Sequence, residues 1–147
     1  MSIDPDDQPR RRRVYLDTSA YLCILLAEEG WERLSNETDE ADLLSSVLLV
    51  LEAKRNLIRL AREGTVHPDQ YKTCLDRLEQ DTSRFALRDL TLDLCQSTIL
   101  PAVITPRSLD LAHLRTALWF HALEKLDRFV TIDTSQNQAA QELGLPA

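Results

Sequence analysis

Short apolar runs alternate with longer stretches of helical periodicity along this chain. Val14 to Leu16 reads as a strand, Asp17-Thr18-Ser19 supplies helix-capping residues, and Ala20 to Glu29 forms an apolar helix that Gly30 can close. The same order recurs: Asp42 to Ser45 is a second strand, Ser46 an N-cap, and Val47 to Glu63 a long helix ended by Gly64. Pro68 suits the first position of a helix running to about Glu79. Arg84 to Leu87 is a third strand, followed by helical segments over Thr91 to Leu100 and Leu109 to about Leu123. Phe129 to Ile132 is a fourth strand and Ser135 to Leu143 a last helix. Strands that alternate with helices predict an α/β fold, with a short, mostly parallel sheet covered on both faces.

The chain has 147 residues, a length that suits one domain, and no linker or long-period repeat divides it. With 44% hydrophobic and 28% charged residues and only 3 Gly, collagen-like and wholly disordered classes are excluded. No apolar stretch approaches the roughly 20 residues of a membrane span, and the N-terminus carries no secretory h-region, so a cytoplasmic protein without membrane association is expected. Residues 1 to 13 read as a mobile arm with an arginine run, Arg10 to Arg13, and residues 14 to 147 as the single domain. Cys23, Cys74 and Cys95 have no metal-ligand or disulfide spacing and are expected to behave as small buried apolar side chains. Against 17 Lys and Arg stand 24 Asp and Glu, a formal net charge of -7 that argues against nucleic-acid binding by bulk electrostatics. A local site in which metal ions supply positive charge stays open.

In a parallel α/β sheet, ligands bind beyond the carboxyl ends of the strands, where strand order reverses. Two strands end in the same tripeptide, Asp17-Thr18-Ser19 and Asp133-Thr134-Ser135. Each is explained singly as a helix cap, but on neighbouring strands the two carboxylates would face each other. Asp110 lies near the start of a helix with Ser108 as the expected N-cap; helical spacing turns it inward, between Leu114 and Ala117. Glu52 follows the apolar run Val47 to Leu51, and spacing alone places it toward solvent, near Asn56 and Arg59. Two carboxylates about 4 Å apart repel by about 4 kcal/mol at an effective dielectric near 20, so a convergent set needs protons or a cation. An all-oxygen donor set suits Mg²⁺ or Mn²⁺ over Zn²⁺, and such ions support phosphodiester hydrolysis.

These residues resemble the motifs of the PIN-domain ribonucleases, in particular the VapC-type toxins of toxin–antitoxin pairs. Val14-Tyr15-Leu16-Asp17-Thr18-Ser19-Ala20 is similar to the first motif, and Leu44-Ser45-Ser46-Val47 with Leu51-Glu52-Ala53 to the second. Ser108-Leu109-Asp110-Leu111-Ala112-His113-Leu114 is similar to the third, and Phe129-Val130-Thr131-Ile132-Asp133 with Leu143-Gly144-Leu145 to the fourth. The resemblance implies a three-layer α/β/α sandwich of four or five strands. It also implies Asp17, Glu52, Asp110 and Asp133 as metal-binding catalytic acids, with Thr18 and Ser135 as supporting hydroxyls. The implied reaction is Mg²⁺-dependent hydrolysis of RNA by in-line attack of a metal-bound water, leaving a 5′-phosphate. A homodimer held inactive by a cognate antitoxin protein is implied as well. Family members commonly continue past the equivalent of Pro146 into a fifth edge strand, which here is expected to be missing or very short.

Arg55 and Arg115, with Lys54 and Arg59 beside them, are candidates for RNA phosphates, although ion-paired or solvated roles compete. His113, three residues after Asp110, is expected to be a packing or surface residue, and Trp31, Trp119 and Phe120 core or interface residues. Two other readings stand beside the nuclease. A receiver-type phospho-acceptor module would use Asp89 after the third strand, but Lys125 lies before the fourth strand instead of after the last. A PIN-like domain that binds RNA or a partner without cutting is the other.

Overall fold

The computed structural model describes residues 9–97 and 102–147. Its four strands, β1 (Arg13–Leu16), β2 (Asp42–Ser46), β3 (Ala86–Arg88) and β4 (Arg128–Val130), form one parallel sheet in the order β3-β2-β1-β4. Seven helices accompany them among the described residues: α1 (Thr18–Leu25), α2 (Trp31–Thr38), α3 (Leu48–Arg62), α4 (Pro68–Thr82), α5 (Leu92–Gln96), α6 (Ser108–Leu123) and α7 (Thr134–Glu142). The chain runs outward from β1 through β2 to β3, then returns to place β4 on the other side of β1. Strand order thus reverses at β1, and the switch point lies between the carboxyl ends of β1 and β4.

The two-residue period of the strands sorts their side chains between two cores. Tyr15, Leu44 and Phe129 pack on one face with Leu114, Ala117 and Phe120 of α6 and Ala139 and Ala140 of α7. Val14, Leu16 and Val130 point to the other face, against Ala20 and Cys23 of α1 and Leu34 of α2. Beyond them Tyr21 and Leu25 of α1 meet Leu49, Ala53 and Leu57 of α3 and Leu78 of α4. Tyr15 and Phe129 are direct partners in the β1–β4 register, and their rings stack with centroids 5.4 Å apart. The arrangement is an α/β/α sandwich of three layers.

Several boundaries differ from the sequence expectation. The helix expected over Ala20 to Glu29 ends at Leu25, and Gly30, at φ +86°, leads into α2, which the alternation of apolar runs had not indicated. β3 lies about two residues later than expected and is only three residues long. Arg107, not Ser108, is the N-cap of α6, so Asp110 is its third helical residue. Part of the expected Thr91 to Leu100 helix is present as α5, and residues 98–101 lie outside the described residues. Cys23 is buried as expected, whereas Cys74 is half-buried and Cys95 exposed.

The expected mobile arm of residues 1 to 13 lies partly outside the described residues. Within it, Arg13 opens β1, and its guanidinium contacts Glu124. Arg10 pairs with Glu124 and Asp127, Arg11 with Asp42, and Arg12 donates to the Glu37 carbonyl. At the outer edge of β4 no fifth strand is present among the described residues, but the Phe129 amide donates to the Pro146 carbonyl at 2.9 Å. No helix is long and apolar enough to cross a membrane among the described residues.

Candidate functional site

All four sequence-predicted acids lie on elements that reach the carboxyl end of the sheet. Asp17 follows β1 directly and is the N-cap of α1, its Oδ1 accepting from the Ala20 amide at 3.0 Å. Asp133 follows β4 and caps α7, accepting from the amides of Ser135 at 2.8 Å and Gln136 at 3.1 Å. The capping explanation therefore holds for both tripeptides. It does not account for the burial of Asp17, which is 4% exposed and has no Lys or Arg partner among the described residues. Desolvation raises its carboxyl above the ordinary value, opposed by hydrogen bonds from Thr131, Ser19 and the Ala20 amide and by the field of His113.

Serine and threonine hydroxyls connect these ends. Ser19 Oγ donates to Asp17 Oδ1 at 2.7 Å, lies 3.2 Å from Thr131 Oγ1, and accepts from the Ile132 amide. Thr131 Oγ1 in turn accepts from the Asp133 amide at 3.1 Å. The loop that carries Asp133 is thus tied to the first turn of α1. Ser19 had been read only as part of a helix cap and Thr131 had been given no role, although both belong to the polar residues that follow the strands.

Glu52 departs from the solvent-facing position that helical spacing gave it. Its side chain is 22% exposed, and Oε1 accepts from Thr18 Oγ1 at 2.8 Å and stands 2.9 Å from His113 Nε2. Burial opposes its ionisation, but hydrogen bonding and attraction from His113, the Thr18 hydroxyl and the charge of Arg107 outweigh it and lower its carboxyl below the ordinary value. The wheel failed because it described α3 alone, whereas the partners of Glu52 come from α1 and α6.

Asp110 is half-buried in the first turn of α6, with Arg107 Nε 3.4 Å from its Oδ2. Its carbonyl accepts from Gln136 Nε2 at 2.8 Å, which links α6 to the turn capped by Asp133. Gln136 is buried, and its Oε1 has no hydrogen-bond partner among the described residues. Arg107 and Gln136 had carried no expectation.

His113 is 2% exposed and joins three elements at once. Its Nδ1 lies 2.8 Å from the Tyr15 hydroxyl, and its Nε2 lies 3.1 Å from Thr18 Oγ1 as well as 2.9 Å from Glu52. Packing describes its burial but not its bonding. The available sign was its spacing from Asp110, which puts the two on one side of α6.

The outlying candidates separate. Ser135 is exposed, and its amide, not its hydroxyl, reaches Asp133. Arg115 donates to the Leu94 carbonyl at 3.4 Å, Arg59 pairs with Glu63, and Arg55 and Lys54 are exposed on α3. Phe120 is buried and Trp31 half-buried, while Trp119 lies at the surface under the Arg88 guanidinium, 4.5 Å from its ring centroid.

As donors, the four acids suit a hard divalent ion, and Asp17 has a desolvated charge that such an ion would compensate. Arg107 supplies positive charge near Asp110 and Glu52. In this conformation, however, no group of three or more His, Cys, Asp or Glu side chains among the described residues is gathered closely enough to hold an ion. No protein-family model matches the chain, and no curated protein matches it.

Proposed function

We propose that the chain is a Mg²⁺- or Mn²⁺-dependent ribonuclease of the PIN type and the toxin of a toxin–antitoxin pair. The observation that carries this reading is Asp17, a carboxylate buried at the switch point of a parallel sheet with no Lys or Arg to neutralise it among the described residues. Asp17, Glu52, Asp110 and Asp133 would hold the ion. When bound, it would supply counter-charge and Lewis acidity for hydrolysis of an RNA phosphodiester. Ser19 and the Ala20 amide hold Asp17, Thr18 and His113 hold Glu52, and the α7 cap holds Asp133, so one oxygen of each of these three acids is oriented by the protein in advance. No side chain is required as a nucleophile, since water attacks phosphorus and the 3′-oxygen leaves, giving a 5′-phosphate and a 3′-hydroxyl.

An RNA substrate, a cognate antitoxin and a homodimer belong to the same proposal. The net charge of -7 favours a basic partner. The test is cleavage of total RNA by the purified chain with Mg²⁺, with excess chelator, and in Asp17→Asn and Asp110→Asn proteins. Cleavage is expected in the first condition alone. Equal rates in chelator or in either variant overturn the nuclease, and failure of the neighbouring gene product to bind by calorimetry overturns the antitoxin.

The separation of the four acids favours a second reading, a PIN-like domain that binds RNA or a partner without cutting. Binding that survives chelator, with no new RNA ends, would select it. The receiver-type reading fits less well. Asp89 follows β3, the outer strand, two strands removed from Asp17, and Lys125 precedes β4 at the opposite end of the sheet.

A further inference from the structure

We infer that Tyr15, His113 and Thr18 form a buried positioning relay that fixes the Glu52 carboxylate through one oxygen and leaves the other for a ligand. The inference rests on the metal-dependent reading for what that ligand is, but the relay is present in the metal-free chain. Tyr15 is fully buried on β1, and its hydroxyl lies 2.8 Å from Nδ1 of His113. The Thr18 hydroxyl gives its proton to Glu52 Oε1, so the two oxygens that face His113 Nε2, Glu52 Oε1 and Thr18 Oγ1, both accept from it.

The ring hydrogen is therefore on Nε2, whatever the Tyr15 hydroxyl does at Nδ1. Nε2 is 2.9 Å from Glu52 Oε1, and the Thr18 hydroxyl donates to the same oxygen at 2.8 Å. Glu52 Oε1 thus accepts two bonds from groups anchored on two other helices, whereas Oε2 accepts none from the described residues. Outer partners of this kind set the orientation of a ligating side chain, and their loss typically costs 10–100-fold in metal affinity. His113 and Tyr15 act through Glu52 and are positioning residues. Their chain, Tyr15 to His113 to Glu52, runs from the sheet to α6 to α3.

The test begins without metal. Long-range ¹H–¹⁵N spectra of the full chain are expected to show a hydrogen on Nε2 of His113, and Tyr15→Phe to change the Nδ1 resonance. A ring without hydrogen on Nε2 in the parent protein overturns the relay. Titration with Mn²⁺ alone, followed by calorimetry, is then compared among the parent, His113→Leu and His113→Gln. Leucine is expected to weaken binding 10–100-fold, and glutamine, whose amide can donate from near the Nε2 position, to restore most of it. Thermal unfolding identifies any variant that fails to fold, and the isosteric Tyr15→Phe protein then supplies the comparison. Equal Mn²⁺ affinity in parent and folded His113→Leu overturns the inference. Absence of Mn²⁺ binding in a parent with hydrogen on Nε2 overturns the metal-dependent reading and leaves the relay as the anchor of Glu52.

Discussion

The tripeptide Asp-Thr-Ser occurs twice at the end of a strand, and its two copies have different surroundings. Asp133 and Asp17 both cap the following helix. In the second copy Thr134 and Ser135 are exposed, and neither hydroxyl has a partner among the described residues. In the first, Asp17 and Thr18 are buried, the Thr18 hydroxyl reaches Glu52, and Ser19 bridges Asp17 to Thr131. The local sequence therefore specifies a cap in both places. What separates them is topology: β1 is central, with helices packed over its end, whereas β4 lies outermost among the described strands.

The largest contrast is expected in cleavage. Under the nuclease reading, Asp17→Asn keeps a capping side chain but removes the charge, and single-turnover RNA cleavage should fall more than ~100-fold, a loss typical of removing one key electrostatic group. Ser135→Ala should cleave at the parental rate, and a comparable fall there would erase the distinction between the copies.

Stability should separate the two threonines next. Thr18→Val deletes a buried hydrogen bond to a carboxylate and should cost about 1.5–3 kcal/mol in denaturant unfolding, against less than about 0.5 kcal/mol for Thr134→Val. Asp133→Ala should lie between them at about 1 kcal/mol, the usual cost of a lost N-cap. A Thr134→Val cost equal to that of Thr18→Val would show the second copy to be equally engaged.

The smallest effect is the pH dependence. Because burial raises the folded-state carboxyl of Asp17, its contribution to stability is greatest below the ordinary carboxylate range and declines as pH rises through the raised folded value. Asp17→Asn should remove that decline and melt slightly higher than the parent at neutral pH, an advantage that disappears in acid. Glu52 has the opposite sign: its lowered carboxyl contributes stability above the ordinary value, lost as pH falls through the folded one. In melting curves across acid pH, Glu52→Gln should therefore show a shallower loss of stability on acidification than the parent.

Much of the fold was legible because the strands obey a two-residue period and punctuating residues stand where elements end. Asp42, Gly64 and Pro68 mark boundaries that the structure keeps to within a residue or two. Helix α2 was hidden because only Leu34 is fully buried among its eight residues, so its apolar periodicity is thin. Edge strand β3 was misplaced because it has no fully buried residue to fix its phase. At the site, Asp17 and Asp133 could be found from their position after strands, since that position is a property of the local chain. The surroundings of Glu52 and the hydrogen bonds of His113 could not, because Thr18, Glu52 and His113 are brought together from α1, α3 and α6. Spacing along one helix says nothing of what a neighbouring helix presents to it.

The carbonyl that Pro146 offers to the Phe129 amide has a consequence for self-assembly. Pro146 accepts from the sheet through its carbonyl oxygen, but its ring nitrogen has no hydrogen to give onward, so at that point the backbone ladder is satisfied on one side and chemically silent on the other. A foreign strand seeking to template on β4 must first displace this segment, which makes the sheet a poor seed for fibril growth from that flank.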